Sequence, residues 1–494
     1  MQLSLVQADL GAHNTPALAL LLPAGTLELT GLAAEADKAA GGVISGLLKQ
    51  GDFRGKPGEA HVLYAPQAAF ERVIVSALGK PEKLTLEHVR DAAGRAAVFA
   101  RDLGLPSFTL VLPDFVASAE ELGRAVGEAI LLSQFQFNTY RTKELDDVKE
   151  LKHVDILAPG LDQDAVRRGL ETGAVLAEAI ATARRWILHP GHNLTPNDLA
   201  EAARKEGEAL GLTVTILGKA QLEAQGLRTL LAVGQGSVHE PCLIRLDYRG
   251  GGDEAPIAVV GKGVTFDTGG LQIKPGPGME KMKYDMAGGA AAIAIVLACA
   301  RLGIKRNVTA VVPAAENMPS GNAIKPSDVV TSYTGLTIEI NDTDAEGRLV
   351  LADALGYVVK EVKPAWIVDM ATLTGSVGVA LGKRAMGVMG NDQALVDRFL
   401  RVAEHAGERG WQLPMFDEYE ENIQSDIADL KNYGGRWGDT VNAATFLQHF
   451  VGKTPWLHLD IAGAGWSDTD RGYRPKGPTG TPVRAVVDMI LAGG

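Results

Sequence analysis

Ile257-Ala258-Val259-Val260-Gly261-Lys262-Gly263-Val264-Thr265-Phe266-Asp267-Thr268-Gly269-Gly270 is the stretch on which the fold turns. Its first four residues are all apolar, which predicts a strand covered on both faces. A glycine-rich turn is expected to follow, with Lys262 and Asp267 in it. In α/β sheets, ligands gather beyond the carboxyl ends of strands. The stretch therefore predicts a buried strand that delivers an ammonium and a carboxylate to a ligand. A phosphate loop is the competing reading. It fails, because no glycine stands five positions before Gly261 and no Ser or Thr follows Lys262.

Working outward, strand-like and helix-like runs alternate along the whole chain, the pattern of α/β architecture. In the first third, strands are expected at 3–6, 18–22, 61–64, 73–75, 108–112 and 154–157, with an amphipathic helix over 84–103. Ser118-Ala119-Glu120-Glu121 opens a further helix with a capping-box pattern. A long helix is expected over 162–188, ending before His189-Pro190-Gly191. Thr195 then caps a new helix with Pro196 at its first position. Later strands, at 212–217, 257–260, 308–312, 366–368 and 456–459, are more apolar. The expectation is a smaller N-terminal α/β domain over 1–160, a connecting helix over 161–190, and a larger α/β domain over 191–494 with a mixed central sheet.

Composition narrows the function. The 494 residues suffice for two or three domains. A net charge of −12 argues against a nucleic-acid partner, which needs a basic face. Two cysteines, Cys242 and Cys299, are too few for a disulfide framework and fit a reducing compartment. No basic region followed by a long apolar one opens the chain, so no secretory signal is expected. The apolar run around 290–300 falls short of the ~20 residues a membrane span needs. The expectation is a cytoplasmic protein with no membrane partner.

The chemistry concentrates in the second half. Asp342-Thr343-Asp344-Ala345-Glu346-Gly347-Arg348-Leu349 sets Asp344, Glu346 and Arg348 at alternate positions. In an extended segment these would share one face. Asp285, in Met282-Lys283-Tyr284-Asp285-Met286, precedes a run of small residues and on its own reads as a helix cap. Together, Asp267, Asp285, Asp344 and Glu346 supply four carboxylates near expected strand or helix ends. Such a group repels itself unless cations join it. Two divalent ions sharing a carboxylate would resolve the conflict. Zinc-protease, structural-zinc and α/β-hydrolase motifs are missing from the sequence.

The motifs around Lys262, Asp285 and Asp344, with Glu316-Asn317-Met318-Pro319-Ser320-Gly321, Ala371-Thr372-Leu373-Thr374-Gly375 and His458-Leu459-Asp460-Ile461-Ala462-Gly463, resemble those of the leucyl aminopeptidases, the M17 metallopeptidases. Order and spacing agree from about residue 185 onward. The resemblance implies two divalent ions, Mn or Zn. Lys262, Asp267, Asp285 and Glu346 would hold the tighter one, and Asp267, Asp344 and Glu346 the looser. Lys262 would then have to be neutral. Lys274 would stay charged and polarise the scissile carbonyl or steady a metal-bridging hydroxide. Arg348 would seat a bicarbonate acting as general base. Backbone groups at Leu373 and Gly375 would hold the peptide, and Met282, Thr372, Ala462 and Gly465 would form the pocket for its first residue. Gly465 stands where better-known members carry a bulkier group, which implies a roomier pocket. Asp342 replaces the family's usual asparagine and lies toward the second-residue pocket, where it could favour a basic residue.

The implied function is a cytosolic metallo-aminopeptidase that removes N-terminal residues from peptides, preferring Leu and other large ones. The implied assembly is a homohexamer, a dimer of trimers. Two other classes compete: a DNA-binding regulator, which the acidic balance disfavours, and another two-metal hydrolase such as a phosphatase. Lys274 and Arg348 could contact phosphate equally well, and the motif match separates the two.

Overall fold

The computed structural model describes residues 1–8, 10, 13–113 and 117–493. The chain forms two compact units, Met1–Ala181 with Asp468–Lys476, and Thr182–Ser467 with Gly477–Gly494. The long helix, Gln163–Leu188, contains the boundary between them.

The first unit holds a six-stranded sheet in the order Gln2–Val6, His153–Leu157, Ser107–Val111, Leu18–Pro23, Arg72–Gly79, Ala60–Tyr64. All its pairings are parallel except the last, which is antiparallel. The helix Ala119–Ser133 begins with the expected capping box between Ser118 and Glu121. The excursion Asp468–Lys476 docks here: Tyr473 is fully buried and sits where Gly94 has no side chain. A Cβ on Gly94 would meet the Tyr473 Cβ at 2.3 Å. The C-terminal origin of this piece left no trace in the sequence pattern.

The second unit is built on a nine-stranded mixed sheet. Its path runs Gly410–Gln412, Met386–Gly390, Trp456–Asp460, Trp366–Ala371, Ile257–Gly261, Asn307–Asn317, Cys242–Arg249, Thr213–Leu217. Trp366–Ala371 is parallel to both Trp456–Asp460 and Ile257–Gly261, and the latter is parallel to Asn307–Asn317. All eleven residues of Asn307–Asn317 are buried, as expected of a strand with both faces covered. The segment after Ile257–Gly261 corrects the expectation of a plain turn. Gly263–Asp267 is a second strand, parallel to the far end of Asn307–Asn317. Lys262 stands between the two strands, and the register along Asn307–Asn317 shifts only further on, between Val264 and Phe266.

One face of the sheet carries the helix Ala287–Arg301, buried along nearly its whole length. Its glycines allow close approach. A Cβ on Gly288 would lie 2.0 Å from the Met370 carbonyl oxygen. Together with the preceding 3₁₀ turn, the helical run Met279–Arg301 reaches 23 residues and by length and hydropathy could cross a membrane. That corrects the expectation of a shorter run. Its most apolar stretch is 83% buried inside the unit, so it is a core helix. Trp366–Ala371, Ile257–Gly261, Trp456–Asp460 and Asn307–Asn317 all end on one side, and the chemistry collects there.

Candidate metal centre and substrate cleft

Four strand or helix ends and one turn deliver the site. Lys262 follows Ile257–Gly261, and Asp267 ends Gly263–Asp267. Asp285 closes the 3₁₀ turn Met279–Tyr284, Glu346 opens the helix Glu346–Tyr357, and Asp344 lies in the turn before it. The expected extended segment over 344–348 is therefore a turn running into a helix. Glu346 stands at the helix N-terminus, where a carboxylate is favoured. Arg348, two residues on, points elsewhere, as helical geometry requires.

Buried Lys262 Nζ lies 2.7 Å from both Asp285 Oδ2 and Glu346 Oε1, and donates to the Thr372 carbonyl at 3.2 Å. Gly347 makes room for it: a Cβ there would meet Lys262 Nζ at 2.7 Å. Lys274 Nζ pairs with Asp267 Oδ2 at 2.7 Å and with Asp344 Oδ1. Asp267 also accepts from Asn317 Nδ2 at 2.8 Å and Gly269 N–H at 2.9 Å. Asp285 is not a helix cap. The cap residue is Met286, and Asp285 Oδ1 instead accepts from Thr372 Oγ1 at 2.7 Å. Thr343 donates to the Gly269 carbonyl at 2.7 Å, which pins the loop that carries Lys274. Gly269 and Gly270 have φ of +88° and +67°, a left-handed conformation that favours glycine.

The electrostatics follow from burial and crowding. Burial alone would lower the two lysines. Asp285, Glu346 and Asp267 outweigh it at Lys262, and Asp267, Glu346 and Asp344 at Lys274, so both ammonium groups are held above their usual range. Burial, with Asp267 and Glu346 nearby, raises the Asp344 carboxyl to about 7 against the pull of Lys274. Burial also raises Asp285 well above the usual carboxylate range, with Lys262 opposing.

These residues fit divalent cations. Asp267, Asp344 and Glu346 each offer an oxygen, all within 4.8 Å of one another. Asp285 Oδ2 and Glu346 Oε1 are buried oxygens that face Lys262 Nζ. Four carboxylates outnumber two ammonium groups. Oxygen donors with one amine suit Mn or Zn.

The cluster opens into a cleft of about 420 Å³. Lys262, Asp267, Lys274, Asp285 and Asp344 line one part, and Met282, Thr372, Leu373, Gly375 and Ala462 are also in its wall. Gly465 lies just behind: a Cβ there would be 3.7 Å from Thr372 Cγ2 and 3.9 Å from Tyr284 Cε2. The Leu373 N–H is taken by Asp460 at 3.2 Å, which leaves its carbonyl for a ligand. Asp342 is not in the wall. Its Oδ1 accepts from Asp344 N–H at 2.8 Å, and Asn432 Nδ2 donates to its carbonyl at 2.6 Å. Arg348 is buried outside the wall too. It donates to the Asn432 carbonyl at 2.8 Å and to Asp439 at 2.9 Å, and its Nε has no hydrogen-bond partner among the described residues.

Sequence reasoning passed over Tyr284, Asn317 and Asp460, although each lies inside a quoted motif. Asn432 and Asp439 carried no signal, because they reach Arg348 only through the fold.

The fold and the cluster define a metal-dependent hydrolase with a cleft beside its cation site. Comparison sharpens this. The chain matches the model of the cytosol aminopeptidase family, catalytic domain, over residues 181–487, and that family's N-terminal domain over 25–144. It is 44% identical over 458 residues to a probable cytosol aminopeptidase of Geobacter sp. (strain M21), covering 92% of this chain and 93% of the relative. Among solved structures, a tomato leucine aminopeptidase mutant superposes with a TM-score of 0.90 at 29% identity, covering 100% of this chain and 97% of that one. The bottromycin maturation enzyme BotP in complex with Mn does so with a TM-score of 0.86 at 33% identity, covering 97% and 99%. The chain belongs to the cytosol aminopeptidase family, M17, and is a metallo-aminopeptidase.

Proposed function

We propose that this enzyme removes the first residue from peptides, preferring Leu and other large side chains, with two divalent ions in each subunit. The observation that supports this most is the convergence of Lys262, Asp267, Asp285, Asp344 and Glu346 at the head of a cleft with an apolar side. Lys262, Asp267, Asp285 and Glu346 would hold one ion, and Asp267, Asp344 and Glu346 the other. When bound, such ions supply Lewis acidity and a nucleophilic water near neutral pH.

The chain's own residues do the rest. Lys262 must give up its proton to act as a ligand, so cation binding and proton release are linked. Lys274, kept charged by Asp267, Glu346 and Asp344, would donate from Nζ to the oxygen of the scissile carbonyl as negative charge develops there. The Leu373 carbonyl and the backbone of Gly375 would hold the peptide. Met282, Thr372, Ala462 and Gly465 would receive the first side chain; a Cβ at Gly465 would press on the Ile461 carbonyl oxygen at 3.0 Å and touch Thr372 and Tyr284. Arg348 would seat a bicarbonate that supplies a general base. A guanidinium suits a planar oxyanion, and to meet one this fork would have to exchange its bonds to Asn432 and Asp439. We further propose a cytoplasmic homohexamer, with no nucleic-acid or membrane partner.

Dye release from leucine p-nitroanilide tests the reading. It should depend on added Mn or Zn and stop with chelator. Hydrolysis of p-nitrophenyl phosphate in place of the anilide would favour the phosphatase alternative and overturn this one.

A further inference from the structure

Asp460 ends the strand Trp456–Asp460, is fully buried, and belongs to neither the cation cluster nor the cleft wall. Its Oδ1 accepts from Leu373 N–H at 3.2 Å and Ala462 N–H at 3.1 Å, and its Oδ2 from Thr374 Oγ1 at 2.6 Å. Those donors lie on two separate loops, 372–375 and 461–465, which both contribute to the cleft wall or its backing. The first loop is tied at its other end to the cluster, through Thr372 to Asp285 and Lys262. The second is braced by Tyr284 Oη, which donates to the Ala462 carbonyl at 3.3 Å. Gly463 is pressed so close to the Gly382 carbonyl that a Cβ would lie 2.4 Å from it. One buried carboxylate thus spans from the loop that touches the cation ligands to the loop that faces the substrate side chain.

We propose that Asp460 is a positioning residue that holds these two loops in register with the metal centre, and so governs both the placement of the scissile carbonyl and the choice of first residue. This rests on the two-metal aminopeptidase reading above. The chemistry of the substitutions separates geometry from charge. Alanine leaves the Leu373 and Ala462 N–H groups without their acceptor and removes the link to Thr374. Asparagine keeps one oxygen for the two N–H groups, and its amide can donate to Thr374 Oγ1. Thr374 can then pass its own proton to Thr440 Oγ1, 2.8 Å away.

The test uses Mn-loaded full-length enzyme, with kcat and KM measured on leucine, phenylalanine and alanine p-nitroanilides and Mn content measured by mass spectrometry. Asp460→Asn should stay within about tenfold of the unaltered kcat, while Asp460→Ala should lose on the order of 10²-fold, the cost of a misplacement near 1 Å. In Asp460→Ala the Leu-to-Ala ratio of kcat/KM should also shift severalfold, with Mn content unchanged. Should Asp460→Ala fail to fold, Thr374→Val and Thr374→Ser serve instead: the valine should reproduce the selectivity shift and the serine should not. Equal loss in Asp460→Asn and Asp460→Ala, an unchanged ratio across substrates, or Mn content falling in step with activity would each overturn the proposal. Activity of the unaltered enzyme that survives chelator would instead overturn the two-metal reading beneath it.

Discussion

Glu346 and Asp342 sit four residues apart and carry different parts of the account. Glu346 Oε1 faces Lys262, and its neighbours Asp267 and Asp344 complete an oxygen cluster. Glu346→Ala should lower anilide hydrolysis by roughly 10²-fold or more, because it removes a ligand at the reacting centre. Full activity in that variant would remove the dinuclear reading. Asp342 is held by its bond to the Asp344 N–H, which an asparagine oxygen could equally accept. Asp342→Asn should therefore leave leucine anilide hydrolysis nearly unchanged. Any preference for Leu-Arg over Leu-Leu should shrink in that variant by less than about fivefold, the reach of a partly exposed charge. The carboxylates and lysines of the site were legible as residue types in motifs. What was not legible was direction. Asp344, Glu346 and Arg348 read as one extended face, but a turn and a helix start send Arg348 toward Asn432 and Asp439 instead.

Elements place those residues, and glycine contacts set how closely the elements approach. Gly288 lets the helix Ala287–Arg301 lie against Met370, and that helix begins just after Asp285. Gly288→Ala should cost on the order of 1–3 kcal/mol as an overpacked core position, and should weaken Mn binding as well, measurable by calorimetry beside a melting curve. Apolar strands such as Ile257–Gly261 could be read from sequence because burial on both faces demands continuous hydrophobicity. Gly263–Asp267 could not, since its glycine and its Thr-Phe-Asp ending mimic a turn while its pairing partner lies about fifty residues away. The docking of Asp468–Lys476 into the first unit was likewise invisible, being a contact between distant parts of the chain. It creates a pH-sensitive spot. Burial, and next the charge on Glu87, raise Asp91 to about 6 against Arg474, Arg95 and Arg90, and among the described residues its Oδ1 has no hydrogen-bond partner. A raised carboxyl destabilises the fold when ionised. The penalty is full above pH 6 and fades as pH falls toward the ordinary value of 3.8. Asp91→Asn should raise the melting temperature at pH 8, and the gain should vanish near pH 4. A gain that persists at pH 4 would contradict this origin.

Across the second unit, the carboxyl ends of the central strands gather what the sequence scatters over some two hundred residues, from Lys262 to Asp460. The α/β class follows from the alternation of strand-like and helix-like runs, whereas the unit boundary falls inside the long helix rather than at residue 160. The assembly does not follow from that alternation, because a subunit interface leaves no period in the sequence. Sedimentation should give a hexamer, and a stable monomer with full activity would refute that proposal. The paired cation site is open to a direct measurement, anomalous diffraction from Mn-soaked crystals holding a transition-state mimic. Two peaks about 3.5–4 Å apart are expected, one within reach of Lys262, Asp267, Asp285 and Glu346, the other among Asp267, Asp344 and Glu346. A single peak, or Lys262 Nζ turned away from both, would contradict it.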